Sequence, residues 1–353
     1  MTSNNFSSPQ KTSVKKPLLH TLQGHEVWPP PIWLMRQAGR YLPEFRAMRA
    51  KADFLTRCMT PDIAVELTVQ PIRRYKMDGA ILFSDILILP WVMGQSLAFI
   101  EGKGPVLEPI RSEADLKLLD KNRVLEATRP VQQTLSILAK ELPDVTTLIG
   151  FAGSPFTVAC YMVEGGGSRD FAQTRKMMLQ NTPLFQKIID LLVTTTAQML
   201  SAQIRAGAQT VMLFDSWGGL LPPQEFRQFV IEPTRQIVEF LRAEHPSVPV
   251  IGFPRLGGVM AVEYAEKTGV NTLALDTVTD PTKIASMVPS KLALQGNLDP
   301  MILLNGGDAL VKEATRIRDS LRGRPHVFNL GHGVMQQTPP ENVALLVDSV
   351  RNV

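Results

Sequence analysis

The sequence predicts an α/β fold, a single (β/α)8 TIM-type barrel. Three observations carry that reading: eight short apolar runs, amphipathic helical stretches between most of them, and polar residues at the runs' C-terminal ends. The runs are Ile32–Met35, Gly79–Phe83, Thr147–Phe151, Thr210–Phe214, Val248–Phe253, Asn271–Leu275, Lys291–Leu294 and His326–Leu330. They are apolar throughout rather than alternating, which marks strands buried on both faces and therefore a parallel sheet. Helical patterns cover Pro61–Lys76, Val124–Leu142, Thr182–Ala206, Pro223–Glu244, Val259–Thr268, Pro281–Val288 and Gly307–Leu321, and Pro340–Val350 follows the eighth run. An open doubly wound sheet would place a glycine fingerprint in its first strand–helix turn. Neither GxGxxG nor GxxxxGK[ST] occurs, so a closed barrel is favoured over a nucleotide-binding fold.

No internal repeat and no Pro/Ser-rich linker divides the chain, so residues 17–353 read as one barrel domain. Residues 1–16 hold Ser, Asn, Gln and Lys with no acid and no apolar run, the composition of a disordered tail rather than a signal peptide. Hydrophobic residues make up 44% and charged residues 20%, which excludes a disordered chain, a collagen-like repeat and a coiled coil. Thirty-seven basic against 33 acidic residues leave a net charge of +4, too small for a nucleic-acid coat. Two cysteines, Cys58 and Cys160, with no CxxC and no HExxH, leave no disulfide framework and no cysteine-based zinc site, and point to a reducing compartment. The longest apolar helix, Leu191–Ile204, lies between Asp190 and Arg205 and is diluted by threonines and glutamines, so no membrane span is expected.

Working groups of such barrels sit at the C-terminal ends of the strands. Here those ends read Arg36-Gln37-Ala38-Gly39-Arg40, Ser84-Asp85, Gly153-Ser154-Pro155, Asp215-Ser216, Asp276, Gln295-Gly296-Asn297 and Asn329-Leu330-Gly331-His332-Gly333. Arg36 and Arg40 are four apart, so a helical turn would set both on one face, with Arg46 and Arg49 nearby. Paired guanidinium forks suit carboxylates or phosphates, and the interleaved Trp33, Met35, Tyr41, Leu42 and Phe45 argue against a merely solvated segment. Asp85 lies between Ala80–Ser84 and Ile86–Leu89, where a carboxylate is costly unless paired. The alternatives are a core salt bridge or an N-cap, although Ile-Leu-Ile-Leu-Pro is a poor helix start. Gly150–Thr157 reads as strand end, turn and helix, followed by Tyr161, Glu164 and a triple glycine that could expose N–H groups to an anion. His332 sits in a glycine-flanked turn able to reach a cleft, whereas His326 opens a strand and reads as packing.

Pro31–Arg40 matches, residue for residue, the first signature of the uroporphyrinogen decarboxylase family. Gly150–Val158 with Tyr161 and Glu164-Gly165 resembles the second. Phe83–Leu87, Phe214–Gly219, Leu294–Pro300 and Asn329–Gly333 are similar to the same family, and the likeness runs from about residue 17 to the C-terminus. The resemblance implies a cytoplasmic homodimer of single-domain barrels acting on the small molecule uroporphyrinogen, with no metal, no organic cofactor, no nucleic acid and no membrane. It implies removal of four acetate carboxyls to give coproporphyrinogen and CO2. On matching positions it implies a site of Arg36, Gln37, Arg40, Arg49, Asp85, Tyr161, Ser216 and His332, with Asp85, Arg36, Tyr161 and His332 closest to the chemistry. Arg255, in Val250–Gly258, is left open as an added anion contact. Two rivals are a zinc-dependent barrel methyltransferase, for which the thiols are badly placed, and a tetrapyrrole carrier without turnover, which would have no reason to keep Asp85.

Overall fold

The structure, a computed structural model, describes residues 15–352. Seven of the eight predicted runs form strands of one parallel sheet: β1 (Gly79–Ile81), β4 (Thr147–Gly153), β5 (Thr210–Asp215), β6 (Val250–Pro254), β7 (Thr272–Ala274), β8 (Ala293–Gln295) and β9 (His326–Val327), hydrogen-bonded in that order. Thr147 of β4 lies opposite Gly79, Thr210 of β5 opposite Ile149, and His326 of β9 opposite Leu294. Long amphipathic helices between the strands cover the outer face, among them Pro61–Tyr75, Arg129–Glu141, Thr182–Arg205 and Glu232–Glu244. Such crossovers are what a parallel sheet requires.

The first run departs from expectation. Only Ile32 makes a β-bridge, to Phe328 beyond β9. Pro29, Pro30 and Pro31 have no N–H for a ladder, so a regular strand cannot start before Ile32. The gap between β9 and β1 is stitched by other means. Phe328 N–H donates to Pro31 O, and Asp78 N–H donates to Ile32 O, at 2.8 and 2.9 Å. The Asp78 carboxylate accepts Ile32 N–H at 2.8 Å and Arg351 Nη2 at 3.2 Å. The regular ladder thus has seven strands, and residues 31–33 fill the eighth place as an irregular segment.

Leu18 and Leu22 of the helix Pro17–Leu22 pack with Trp33, Ile81, Ile149, Met212, Ile251, Ala274 and Val327 inside the ring, plugging its N-terminal end. Lys16, the last residue of the predicted tail, donates from Nζ to Thr146 O at 2.8 Å; residues 1–14 lie outside the described residues.

Some predicted helices are subdivided. Val124–Leu142 becomes Val124–Ala127 and Arg129–Glu141, because Pro130 restarts a helix at its first turn. Pro223–Glu244 contains a π-helical turn at Arg227–Ile231 ahead of Glu232–Glu244. An antiparallel hairpin, β2 (Leu97–Ile100) with β3 (Gly104–Leu107), was not anticipated. It rises from the strap after β1 and rests on Gly166, which bridges Val106.

Candidate active site

A cavity of about 1000 Å³ opens over the C-terminal end of the sheet. Its floor is apolar. Ile81 of β1 and Phe151, Phe214 and Phe253 of β4, β5 and β6 face it, with Met35 beside them. Phe151 meets Phe214 edge-on at 5.6 Å, and Phe214 meets Phe253 edge-on at 6.3 Å. Such edge-to-face packing gives the cavity an apolar, aromatic base.

Charge is confined to the rim and walls. Arg36, Arg40, Arg49, Arg57 and Lys103 line the cavity against Asp53, Asp85 and Glu101. The segment from Arg36 to Arg40 is a pair of turns, not the expected helical turn. Arg36 adopts a left-handed φ of +61°, and its side chain runs against Gly333, where a Cβ would lie 2.3 Å from Arg36 Cδ. Glycine at 333 is therefore what lets the arginine lie across the loop that carries His332. Burial and the like charges of Arg49 and Arg36 pull the Arg40 guanidinium below its ordinary value, against Glu101. Arg49 Nη2 is bound to Glu101 Oε1 at 2.9 Å, at the tip of the hairpin.

Asp85 follows β1. Its Oδ1 accepts Leu87 N–H at 2.8 Å, and Ile88 N–H donates to its carbonyl at 3.3 Å, so it closes a turn ahead of the helix Ile88–Met93. The sequence Ile-Leu-Ile-Leu-Pro does start a helix after all, because Pro90 falls in the first turn, where no intrahelical N–H is needed. Burial pushes the Asp85 carboxyl up to about 6, while the Leu87 N–H and Arg36 oppose that rise. Opposite it, Tyr161 projects from the helix Pro155–Glu164; burial raises its hydroxyl, and the adjacent Trp217 N–H opposes that. Trp217 Nε1 itself has no hydrogen-bond partner of ordinary geometry. Burial, with the charges of Arg36 and Arg255, pushes His332 down to about 3, so its imidazole is neutral at physiological pH.

The cavity thus gathers Arg36, Arg40, Arg49, Asp85, Tyr161, Ser216 and His332. It does not gather Gln37. That side chain is fully buried, with Oε1 accepting Leu34 N–H at 3.1 Å and Nε2 donating to Gly79 O at 3.0 Å, so it ties the first run to β1. The triple glycine supports the hairpin rather than the cavity wall, since Gly165 O accepts Leu107 N–H at 3.0 Å. Arg255 stands behind the wall, donating to Ser216 O at 3.4 Å, and acts on His332 through its charge.

Polar ends on the far side of the ring are scaffold. Asp276 accepts Val278 N–H and the Thr279 hydroxyl. Asn329 Oδ1 accepts Met35 N–H at 3.0 Å, and Gln295 Oε1 accepts the Trp33 indole N–H at 3.0 Å. His326 is buried, with Nε2 2.9 Å from Gly296 O. Among the described residues no three His, Cys, Asp or Glu side chains gather where they could hold a metal ion.

Sequence reasoning missed Arg57, Phe99, Glu101 and Lys103, all on the cavity wall. The apolar run Leu97–Ile100, followed by Gly102 and Gly104 and a second short run, was a usable hairpin signal. Nothing local marks Arg57.

Residues 13–353 match the family model described as Uroporphyrinogen decarboxylase (URO-D). The chain is 71% identical over 341 residues to a uroporphyrinogen decarboxylase of Gluconobacter oxydans, covering 96% of this chain and 97% of that one. It is 62% identical over 352 residues to the one from Gluconacetobacter diazotrophicus, covering 97% and 100%. Among solved structures, a methyltransferase from Methanosarcina mazei superposes with a TM-score of 0.73 at 19% identity, over 95% of this chain and 97% of the other, a likeness of fold alone.

Proposed function

The chain belongs to the uroporphyrinogen decarboxylase family, and from that premise we propose that its cavity binds uroporphyrinogen III and converts its four acetate side chains to methyls. It is a carboxy-lyase of porphyrin biosynthesis, giving coproporphyrinogen III and four CO2. The observation that carries the mechanism is Asp85: a carboxylate that opens on an apolar-floored cavity, with the charge of Arg36 acting on it.

Loss of CO2 from a pyrrole acetate leaves an electron pair on the methylene carbon, so a sink is required. Protonation of the adjacent pyrrole carbon makes the ring that sink. The carbon–carboxyl bond then breaks, its electrons neutralise the ring cation, and CO2 departs. Adding a proton to the exocyclic methylene and removing the ring proton leaves a methyl group, with one proton consumed for each CO2. The cationic ring is the species that needs stabilising, and a carboxylate in a water-poor site supplies that. The four pyrrole N–H groups of the macrocycle also converge on its centre. An ionised carboxylate offers about four lone-pair sites and no donor, so Asp85 can accept from them while stabilising the charge.

Arg36 and Arg40 hold substrate carboxylates, with Arg49 a further contact. Arginine scarcely deprotonates, so Arg36 orients the reacting acetate and its protons pass through bound water. Tyr161, Ser216 and neutral His332 donate hydrogen bonds to the remaining carboxylates. A homodimer in the cytoplasm belongs to the same reading and rests on the family resemblance; no described helix is long and apolar enough to cross a membrane. The test is anaerobic incubation with uroporphyrinogen III, then chromatography of the oxidised products. Hepta- through tetracarboxyl porphyrins are expected, and their absence would leave a carrier in place of an enzyme.

A further inference from the structure

Arg57 is the one basic residue of the cavity wall that is almost fully buried, at 4% exposed. It sits in the helix Phe54–Met59, and its Nε donates weakly to Asp53 O at 3.3 Å. Three phenylalanine rings surround the guanidinium, Phe54 at 5.4 Å, Phe45 at 5.6 Å and Phe83 at 6.0 Å. Phe99 of the hairpin packs tilted against Phe54, with ring centroids 4.3 Å apart, and completes an aromatic recess; all four rings line the cavity.

Aromatic faces attract the plane of a guanidinium, but they do not accept its N–H edges. Nη1 is shut off from solvent and has no hydrogen-bond partner. Among the described residues no carboxylate is ion-paired with Arg57. Asp53, the nearest in sequence, spends its carboxylate on Thr56 N–H and the Thr56 hydroxyl. Arg40 and Arg49 add like charge from the same wall. Glu101, the only hairpin acid on that wall, is held by Arg49. A buried cation with unfilled donors among other cations is unfavourable unless an anion joins it.

We propose that Arg57 is a further substrate-binding residue, whose guanidinium takes a peripheral carboxylate of the tetrapyrrole in the recess formed by Phe45, Phe54, Phe83 and Phe99. The inference rests on the decarboxylase reading and adds a subsite to it. Arginine edge donors match a carboxylate, and the phenylalanines exclude the water that would weaken the pair. The recess lies on the wall rather than at the aspartate, so Arg57 contributes affinity and leaves the chemical step to Asp85.

The test compares the parent with Arg57→Leu and Arg57→Lys. Turnover of uroporphyrinogen III is measured against salt, and binding of uroporphyrin I, an octacarboxylate, by fluorescence quenching. Arg57→Leu is expected to raise KM and weaken uroporphyrin binding about fivefold or more, with kcat near the parent's. It is also expected to flatten the salt dependence of kcat/KM, and the lysine variant to recover part of both. A variant with parental affinity and parental salt dependence overturns the proposal. So does a lower Tm in Arg57→Leu without any change in affinity, which would make Arg57 a prop for the rings. Should Arg57→Leu fail to fold, Arg57→Gln serves in the same comparison. Failure of the parent to turn over uroporphyrinogen would overturn the decarboxylase reading instead, and uroporphyrin binding would still decide Arg57.

Discussion

The ends of β1 and β5 each carry an aspartate that burial drives upward, Asp85 to about 6 and Asp215 to about 7. Their surroundings then diverge. Asp85 has one hydrogen-bond donor, Leu87 N–H, and its remaining surface opens on the cavity beneath Arg36. Asp215 is fully buried and absent from the cavity wall; its Oδ1 accepts the Thr157 hydroxyl at 2.6 Å while Oδ2 has no partner. Thr157 Oγ1 in turn accepts Trp217 N–H at 3.1 Å, which sets the turn that presents Ser216. Two carboxyls of similar origin thus serve different ends. One holds its charge where a ligand can meet it, and the other uses its hydrogen bond to shape the wall.

The sharpest way to break that contrast is to remove each charge. Asp85→Asn keeps the shape but loses the anion beneath the cationic ring, and kcat is expected to fall about 10²–10³-fold. Asp215→Asn is expected to lower kcat less than about tenfold, since no charge on the cavity wall changes. Anaerobic rates with uroporphyrinogen III decide the order. If Asp215→Asn is the more damaging, the sealed aspartate takes part in the chemistry and the division between the two ends is wrong.

That division was only half legible beforehand. Apolar runs with helices between them are dictated by burial on both faces, so the strands from Gly79 to Val327 could be read directly. The first run could not, because Pro29–Pro31 deny it a ladder and only the fold brings Asp78 and Arg351 to the seam. Strand-end polar residues were legible as a group but not by role. Asp85, Asp215 and Asp276 look alike in sequence, and what separates them is the donor each meets from another part of the chain. Asp276 meets its own loop and the Leu256 N–H from the loop after β6, Asp215 meets Thr157 from the helix that follows β4, and Asp85 meets only its own turn. The Gln37 side chain turns away from the cavity for the same reason. It lies inside a cavity-lining motif, yet its acceptor is Gly79 O, 42 positions away. Arg57 had no pattern to betray it, since a lone arginine between Thr56 and Cys58 reads as an exposed helix position until Phe45 and Phe83 from other segments join Phe54 of its own helix around it.

A second test sharpens the β5 side. Thr157→Val is close in shape to the parent residue and removes the hydroxyl that both donates to Asp215 and accepts from Trp217. Leaving a buried carboxyl and a backbone N–H unfilled is expected to cost about 1–3 kcal/mol, read from the denaturant midpoint at pH 8, where Asp215 is largely ionised. Unchanged stability would mean that Asp215 does not depend on Thr157, and the scaffold role would fall.

The smallest expected effect is on stability against pH, and its sign follows from the upward displacement. A carboxyl that titrates higher in the folded chain than in the unfolded one holds its proton more tightly when folded. Its ionised form therefore costs stability above the folded value, and the cost disappears as pH falls towards the ordinary carboxyl range. For Asp85 the window runs from about 6 down to the ordinary 3.8. Asp85→Asn should accordingly be more stable than the parent at pH 7.5, by about 1 kcal/mol once screening by water in the open cavity is allowed for. The two should converge as pH is lowered through 6, and for Asp215→Asn the convergence should begin near 7. Thermal melts of the three proteins across pH 4–8 read the difference. A stabilised Asp85→Asn that has also lost turnover would place the aspartate's cost and its use in the same charge, whereas a destabilised one would show Asp85 to be paired within the protein and unavailable to a ligand.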